Sequence, residues 1–343
     1  MAAWKDVDRS QCNVPEVIVP KIPTLPPTES DGPTARFRLG LKLGLSLQYQ
    51  GSENTRALID FAARSKERLT DGTWVGWGLF TGYEEWLRND RPWEGQLALL
   101  RKWRTEAPTS GPAALMEASY WIAYAWFARG TEFASKVPEE AFETARGRLA
   151  KARAVLEEAK PYAASNTAWY PLMLEVALIQ SWPVGERIAL FNEAVKAEPL
   201  YDATYIRMAI GLTPRWGGSL DDYHRFVRGS VEKTRASYGD LMYARLYWVL
   251  SDTEWDKEPF TALKIPWQHM KSGFDDLMKR YPDSQWNLQH YAYFACRAGD
   301  GKTFSAISPR ISAKLPTSSP SAWREPYTRD YCVSRFAKAP GGR

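Results

Sequence analysis

Several pairs of adjacent carboxylates in this sequence could in principle act as general acids and bases. Hydrolysis of a glycosidic bond needs two carboxyl groups that flank the same bond. Side chains of neighbouring helical residues point about 100° apart, so an adjacent pair does not converge on one bond. Two of the pairs also fall in the first turns of predicted helices, where the helix dipole stabilises negative charge. We therefore assign no catalytic residue to the adjacent pairs, which include Glu84-Glu85, Glu139-Glu140, Asp221-Asp222 and Asp275-Asp276.

The sequence also lacks a complete phosphate-binding motif and a complete set of metal ligands. The segment Gly299–Thr303 ends like a P-loop, but Cys296 occupies the position that the first glycine of that motif requires. A helix rather than a strand is predicted before it, so we interpret the segment as a turn. His224, His269 and His290 have no ligand partners at helical spacing. The sequence therefore predicts no cofactor and no metal.

Two arginines fit a binding role better than a catalytic one. Arg129 and Arg215 each belong to an aromatic-rich segment that ends in glycine. An arginine there could clamp a carboxylate or another anion of a partner peptide through two parallel hydrogen bonds. The structural alternative is that Arg215 stabilises a helix C-terminus and stacks on Trp216. Together with Trp169 and Trp182, these three residues form the predicted partner-binding set.

Composition limits the classes of function further. The chain has 343 residues, enough for one long helical array or two compact domains. Its net charge of +5 comes from Lys and Arg that are scattered between Asp and Glu, which argues against a nucleic-acid partner. The 16 Trp, 17 Tyr and 13 Phe residues either fill gaps between helices or line a groove for a peptide or glycan.

Cysteine usage and the termini bear on the compartment. Cys12, Cys296 and Cys332 are too few and too dispersed for a zinc framework. Cys296 and Cys332 would pair in an oxidising compartment and stay free in a reducing one. The N-terminus lacks the apolar segment of a secretory signal, and no run approaches the roughly 20 apolar residues of a membrane helix. The sequence as given predicts a cytoplasmic protein, or a periplasmic or secreted one if a leader was removed.

The elements that position these residues are mainly helical. Six prolines between residues 13 and 34 predict an extended arm over residues 1–36. Strict alternation of apolar residues from Phe37 to Tyr49 is typical of a strand, yet no partner strand is evident, so helix and strand both stay open. Further along, apolar residues recur at helical spacing. The most regular stripe consists of Ala145, Leu149, Ala152, Leu156 and Ala159, which we expect to pack against residues 112–130.

Prolines that close helical pairs indicate a repeat. Pro161 and Pro199 lie 38 residues apart, and Pro282 and Pro316 lie 34 apart. Tetratricopeptide repeats, which are helical hairpins, have a period of about 34 residues. We therefore predict an all-α, tetratricopeptide-like solenoid of helical hairpins over residues 37–316 that forms a right-handed superhelix. Residues 317–343 would be a tail or a capping helix.

Several boxes resemble those of a bacterial helical-repeat family of unknown function that is related to tetratricopeptide proteins. They are Asp71-Gly-Thr-Trp74, Tyr124-Ala-Trp-Phe-Ala-Arg-Gly130, Phe142 through Arg148-Leu149 to Ala152, and Pro214-Arg-Trp-Gly217. The resemblance covers roughly residues 55–250. It implies a helical-repeat fold and no catalytic residues. We further expect Pro214–Ser219 to be an ordered turn between helices, with Ser219 as the cap of the next helix.

The predicted function is a non-enzymatic protein–protein interaction module. It would be an adaptor, or an immunity-type protein that masks its partner, and would bind a peptide or protein on the concave face of the solenoid. The alternative is an α/α-barrel glycoside hydrolase or glycan-binding protein with a Trp-lined cleft. A hydrolase needs two carboxylates about 5–10 Å apart across that cleft. An open superhelix would favour binding, and a closed toroid with facing acids would favour hydrolysis.

Overall fold

The structure, a computed structural model, is all-α in the part of the chain that it describes, which confirms the predicted class. It describes residues 31–49, 53–130, 136–312 and 322–337. These ranges contain fifteen α-helices. Their bounds are α1 (Gly32–Tyr49), α2 (Glu53–Arg64), α3 (Val75–Asp90), α4 (Trp93–Glu106), α5 (Gly111–Arg129), α6 (Glu139–Ala163), α7 (Trp169–Ile179), α8 (Val184–Ala197), α9 (Asp202–Ile210), α10 (Leu220–Tyr238), α11 (Leu241–Thr253), α12 (Trp267–Arg280), α13 (Gln285–Arg297), α14 (Gly301–Ile307) and α15 (Arg329–Ala337).

The segment from Phe37 to Tyr49, which the sequence alone does not assign to a strand or a helix, is helical. Helix α1 buries Leu39, Leu43 and Leu47, which recur every four residues, so helical spacing is present inside the alternating pattern. Glycines allow α1 to cross α3 at very short distance. A Cβ on Gly40 would lie 2.0 Å from the backbone of Gly82, and one on Gly82 would lie 1.8 Å from a carbonyl oxygen of α1. Close helix packing, not strand pairing, therefore explains the glycines.

The ends of the chain are described in part. Residues 1–30 of the predicted arm lie outside the described residues, and residues 32–36 belong to α1. Near the C-terminus, Cys332 of α15 forms a disulfide with Cys296 of α13. Of the two states that the sequence left open for these cysteines, paired and free, the structure has the paired one.

Among the prolines that were predicted to close helical pairs, Pro161 lies inside the last turn of α6, whereas Pro199 and Pro282 follow the ends of α8 and α12. Pro316 lies outside the described residues.

Helix α3 and helices α5 to α11 are arranged in two layers. Helix α3 contacts α5, α5 contacts α7, α7 contacts α9, and α9 contacts α11, and we call these five the inner helices. Helices α6, α8 and α10 each contact the inner helix before them and the one after them. The predicted stripe of α6 packs on α5, and Leu149 and Leu156 are buried as expected. No helix in the described ranges is long and apolar enough to cross a bilayer.

The start of α3 is joined to both ends of the array. Asp71 is fully buried, and its carboxylate accepts a hydrogen bond from Arg36 of α1 at 3.2 Å. Its carbonyl oxygen accepts hydrogen bonds from Arg245 of α11 and, at 3.0 Å, from Asn287 of α13. Asp31, just before α1, also accepts from the backbone N–H of Trp286 at 2.7 Å. The first helix and α13 therefore meet.

Candidate functional site

The inner helices α3, α5, α7 and α9 run parallel, so their first residues share one end of the array. Trp74, Gly111, Asn166 and Tyr201, each within three residues of the start of one of these helices, all line the same cavity. We call this the amino end. At the other, carboxyl end, Arg187 donates to the carbonyl oxygen of Gly211 at 3.2 Å, directly after α9. The two ends differ in chemistry, and each is described in turn.

A half-enclosed cavity of about 400 Å³ opens at the amino end, and we call it the amino-end cavity. It has this volume because small residues from several elements face it. Its polar lining comes mainly from the turn between α6 and α7 and from the end of α2. The lining residues are Ala63, Arg64, Ser65, Lys66, Trp74, Thr109, Gly111, Pro112, Tyr162, Ala164, Ser165, Asn166, Thr167, Tyr170, Ala194, Ala197, Glu198, Tyr201 and Thr204.

Asn166 is the residue of the cavity wall whose bonding is incomplete. Its side-chain oxygen accepts a hydrogen bond from the backbone N–H of Ala168 at 3.1 Å, and this bond shapes the turn before α7. Because only the oxygen can accept, the bond also fixes which side-chain atom is Nδ2. Asn166 is 6% exposed, and Nδ2 has no partner among the described residues. A buried donor without an acceptor costs about 1–3 kcal/mol.

A second residue of the cavity wall is in the same situation. The hydroxyl oxygen of Tyr162 is buried and has no hydrogen-bond partner within the described ranges. Tyr201 also lines the cavity, and burial raises the pKa of its hydroxyl far above the usual value. The phenol of Tyr201 is therefore protonated at neutral pH. Asn166 and Tyr162 thus each contribute a buried polar atom that has no partner among the described residues.

The charges at the mouth of the cavity balance in pairs. Lys66 bonds Glu198 at 2.9 Å, and Arg64 bonds Asp60 at 2.7 Å. Among the described residues that line the cavity, Glu198 is the one carboxylate, and Lys66 already binds it. The starts of α3, α5, α7 and α9 add the partial positive charge of helix N-termini.

Trp74 forms one wall and explains a sequence box. Its ring packs edge-on against Tyr201 at 4.8 Å, and the guanidinium of Arg68 lies over it at 3.2 Å. The indole N–H donates to the carbonyl oxygen of Leu200 at 3.3 Å. Asp71 and Trp74, which belong to the same sequence motif, therefore differ in role. Asp71 connects helices through hydrogen bonds, and Trp74 forms part of the cavity wall.

Two buried acids do interact inside the molecule. Glu84 of α3 and Glu175 of α7 are 3% and 5% exposed, and Arg207 of α9 bonds Glu175 at 2.8 Å. Burial, and then the charge of Glu175, raises the pKa of the Glu84 carboxyl to about 8. Both side chains are buried, and neither residue lines the amino-end cavity. Within the described ranges, no group of three His, Cys, Asp or Glu residues could hold a metal ion.

Four of the five sequence-predicted site residues lie at the carboxyl end. Trp216 packs edge-on against Trp126 of α5, with ring centroids 6.3 Å apart, so two of the sequence boxes meet there. Arg129 lies over Trp126 at 5.4 Å and donates to the carbonyl oxygen of Gly130 at 3.1 Å. Trp182 follows α7, and Arg153 lies over its ring at 4.5 Å. Every one of these contacts is made within the chain.

Arg215 contacts the segment that follows α11, and its own turn is ordered. Its guanidinium bonds Asp256 at 2.5 Å and lies over Trp255, and its backbone N–H donates to Glu254. Residues 214–216 form one 3₁₀ turn, and Gly217 adopts a φ of 82°. Ser219 caps α10 by accepting from the backbone N–H of Asp222 at 3.1 Å, as predicted. Trp216 is half-buried.

Trp169 is separated from the other predicted residues. It is the first residue of α7, is 2% exposed, and donates to the carbonyl oxygen of Leu156 at 2.8 Å. Its position is therefore in the core. Sequence reasoning missed Asn166, three residues earlier, although Asn before a helix is a common turn residue. Nothing in the sequence signals that Asn166 lines a cavity.

The comparisons with known proteins add no relative. No family model matches the chain, and no curated protein or solved structure matches it significantly. The resemblance of the sequence boxes to a helical-repeat family stays a prediction. In this chain the boxes have structural contacts of their own, because Asp71 joins α1, α3, α11 and α13, and Trp126 packs on Trp216.

Proposed function

We propose that the protein is a non-enzymatic interaction module, an adaptor or an immunity-type protein, that binds a segment of a partner protein in the amino-end cavity. One observation carries the proposal. The amino end of the inner helices has a cavity of about 400 Å³, which is lined by residues of several helices. Among the described residues that line it, Glu198 is the one carboxylate and already pairs with Lys66, so the site lacks the two acids of a hydrolase.

The order of the helices supports a tetratricopeptide-like array. Each inner helix contacts the next one, as in a solenoid of hairpins. We propose that these hairpins form a right-handed superhelix. Because α1 meets α13, the superhelix would close on itself, and the partner segment would enter at the amino end rather than along a concave groove. The disulfide between Cys296 and Cys332 supports a place of action in an oxidising compartment.

The second candidate is an α/α-barrel glycoside hydrolase. The contact between Asp31 and Trp286 favours a closed ring, and the raised pKa of Glu84 is typical of a general acid. Both acids are buried, however, and a sugar chain would have to reach them through packed helices. For that reason we rank binding first. A panel of polysaccharides, with released reducing ends as the readout, tests this candidate directly.

Peptide binding tests the first candidate. An array of random peptides should contain sequences that bind the wild-type protein. Ala197→Trp places a large ring at the rim of the cavity and should abolish their binding. Ala189→Trp, on an exposed position of the same helix, is the matched control and should keep it. An array without any binder, or equal binding by both variants, would reject the amino-end cavity as the site.

A further inference from the structure

We infer that the protein has a second binding site, a cleft that takes the phosphate monoester group of a small soluble molecule. The cleft lies between one face of α10, Tyr247 of α11 and the residues around the start of α12, and we call it the basic cleft. Its volume of about 450 Å³ lies within the range of small-molecule pockets. It shares no lining residue with the amino-end cavity, so the inference does not depend on the proposed function.

Helix α10 supplies one wall of the basic cleft. Asp221, His224, Arg225 and Arg228 are spaced by three and four residues, which places them on one side of a helix, and all of them line the cleft. Arg225 bonds the neighbouring Asp222 at 2.7 Å. Arg228 is exposed and makes no hydrogen bond or ion pair with any other described residue. Its guanidinium is therefore available to a ligand.

Lys264 supplies a second cation from the opposite wall. Its backbone has a φ of 53°, in the left-handed region that residues other than glycine adopt at a cost in free energy. The conformation is fixed because Leu263 and Ile265 are both buried and the backbone N–H of Ile265 donates to the carbonyl oxygen of Pro259 at 2.9 Å. A glycine would fit this backbone without strain, whereas the lysine adds an exposed ammonium that has no ion pair within the described ranges.

His224 holds the segment that carries Lys264. Its Nε2 lies 3.1 Å from the carbonyl oxygen of Leu263, and a carbonyl only accepts, so Nε2 carries the hydrogen. Nδ1 then accepts from the hydroxyl of Tyr247 at 3.3 Å. Burial lowers the pKa of His224, and the charges of Arg228 and Lys264 lower it further. The imidazole is therefore neutral at neutral pH and positions the lysine without adding charge.

The two unpaired cations act on the same space. Both charges influence His224, so Arg228 and Lys264 lie near one another although they come from different elements. Among the described lining residues, Asp221 is the one carboxylate, against three cations. A cleft lined mainly by one sign of charge concentrates ions of the opposite sign. The arrangement therefore favours an anion that carries more than one charge.

A phosphate monoester meets these conditions better than a carboxylate or a sulfate ester does. It carries nearly two negative charges at neutral pH and has three terminal oxygens. A guanidinium binds two such oxygens in parallel, and a lysine binds one as a point charge. His269 also lines the cleft, is exposed, and is kept in place by stacking on Tyr243 at 4.8 Å. Its ring adds a further donor at the start of α12.

Two probes of the same shape separate charge from size. Methyl phosphate is almost fully doubly charged at about pH 7.5, and methyl sulfate carries a single charge. Isothermal titration calorimetry should show saturable binding of methyl phosphate with a Kd of roughly 1 mM or lower. Methyl sulfate should bind about ten times more weakly, and added salt should weaken both.

Loss of either cation should weaken binding without loss of fold. Arg228→Gln and Lys264→Asn should each lower the affinity for methyl phosphate about tenfold. Asparagine tolerates the left-handed region, so Lys264→Asn should not lower the melting temperature. Lys233→Gln removes the same charge from an exposed position of α10 outside the cleft and should leave the affinity unchanged.

A third variant should improve binding, an effect that misfolding does not produce. Asp221→Asn removes the carboxylate that opposes the ligand, so the affinity for methyl phosphate should rise about two- to fivefold. Glu232→Gln, at an exposed position of the same helix outside the cleft, is its control. An affinity that falls or stays the same in Asp221→Asn would place the anion away from this wall.

The remaining outcomes contradict the inference in distinct ways. No saturable binding up to roughly 10 mM, or equal affinity for the two probes, would overturn it. Unchanged affinity in both Arg228→Gln and Lys264→Asn would show that phosphate binds elsewhere. N-acetyl-phosphoserine-methylamide that binds about ten times more tightly than glycerol 3-phosphate would mean that the ligand is a phosphorylated protein, not a small molecule. The peptide array tests the amino-end cavity separately, so either proposal can fail without the other.

Discussion

The two ends of the inner helices use opposite chemistry. At the carboxyl end, arginines bind backbone carbonyl oxygens that lie in or directly after the inner helices. Arg148 donates to Tyr124, and Arg187 donates to Gly211. At the amino end, the side-chain oxygen of Asn166 caps a turn while its nitrogen has no partner among the described residues. The carboxyl end is held together by its own side chains, whereas the amino end contains the cavity.

This difference shows that conspicuous residues need not mark a binding site. Arginine and tryptophan are frequent in protein interfaces, which made the carboxyl end attractive. The same residue types also suit helix C-termini, where cations interact with the dipole and with aromatic rings. Alanine, glycine and asparagine attract less attention, yet residues of these types line the amino-end cavity. The following four predictions test this contrast, from the largest expected effect to the smallest.

Leu156→Ala should destabilise the protein by about 2–5 kcal/mol, because Leu156 is fully buried between α5 and α6. The change lies in the core, so peptide binding by the folded fraction should stay as it is. Urea unfolding measures the loss. Glu157→Ala, on the exposed face of α6, is the control and should change stability by less than about 1 kcal/mol. A loss under about 0.5 kcal/mol for Leu156→Ala would mean that the stripe is not a core contact.

Trp216→Ala should cost about 2–3 kcal/mol, less than a fully buried ring, because Trp216 is half-buried against Trp126. The carboxyl end would lose the contact between the rings of Trp126 and Trp216. Trp255→Ala is the matched control, since Trp255 is 60% exposed, and its loss should be smaller. Thermal unfolding of both variants compares them. If the losses are equal, Trp216 does not act as a plug between the helices.

Glu84→Gln should make the protein more stable than the wild type at high pH, and this advantage should disappear at low pH. Burial raises the pKa of Glu84 to about 8, above its value in the unfolded chain, so the folded state holds the proton more tightly. Wild-type stability should therefore fall as the pH rises from about 4.5 through 8, and the variant should lack this component. Melting temperatures at pH 5 and pH 9 reveal it. Glu143→Gln, at an exposed position, should follow the wild type.

Arg215→Ala should have the smallest effect, about 0.5–1 kcal/mol, because its bond to Asp256 is partly exposed. Its binding of array peptides should equal that of the wild type. The comparison between the ends depends most on this result. If Arg215→Ala keeps its melting temperature but loses peptide binding, the carboxyl end is the binding end, and the roles described above are reversed.

Local patterns were sufficient for much of the fold. The stripe of α6 predicted the burial of Leu149 and Leu156, and the sequence Ser219-Leu-Asp-Asp222 predicted the cap of α10. In both cases the residues that decide the structure lie within a few turns of one another. The sequence alone did not decide whether α1 is a helix or a strand, because its apolar residues alternate as they do in a strand. The close contact between Gly40 of α1 and Gly82 of α3, which requires the tertiary structure, explains the glycines as helix-packing residues.

The candidate site was beyond reach of the sequence for a different reason. A cavity is defined by volume that side chains leave empty. Here Ala63, Gly111 and Ala197 come from three helices that are distant in sequence. Asn166 reads as an ordinary turn residue, and its oxygen does have that role. Its unpaired nitrogen becomes visible only when every neighbour is known.

A hydrogen bond between Asp31 and the start of α13 connects the N-terminal and C-terminal parts of the described chain. Asp31 accepts the backbone N–H of Trp286, and 255 residues separate the two. In an open array of repeats, each unit contacts only its neighbours, so terminal units can be deleted one at a time. Here a nascent chain that has reached α12 still lacks a contact that its first helix requires. The protein should therefore complete its fold late and unfold as one cooperative unit, and shortening it from either end should destabilise both.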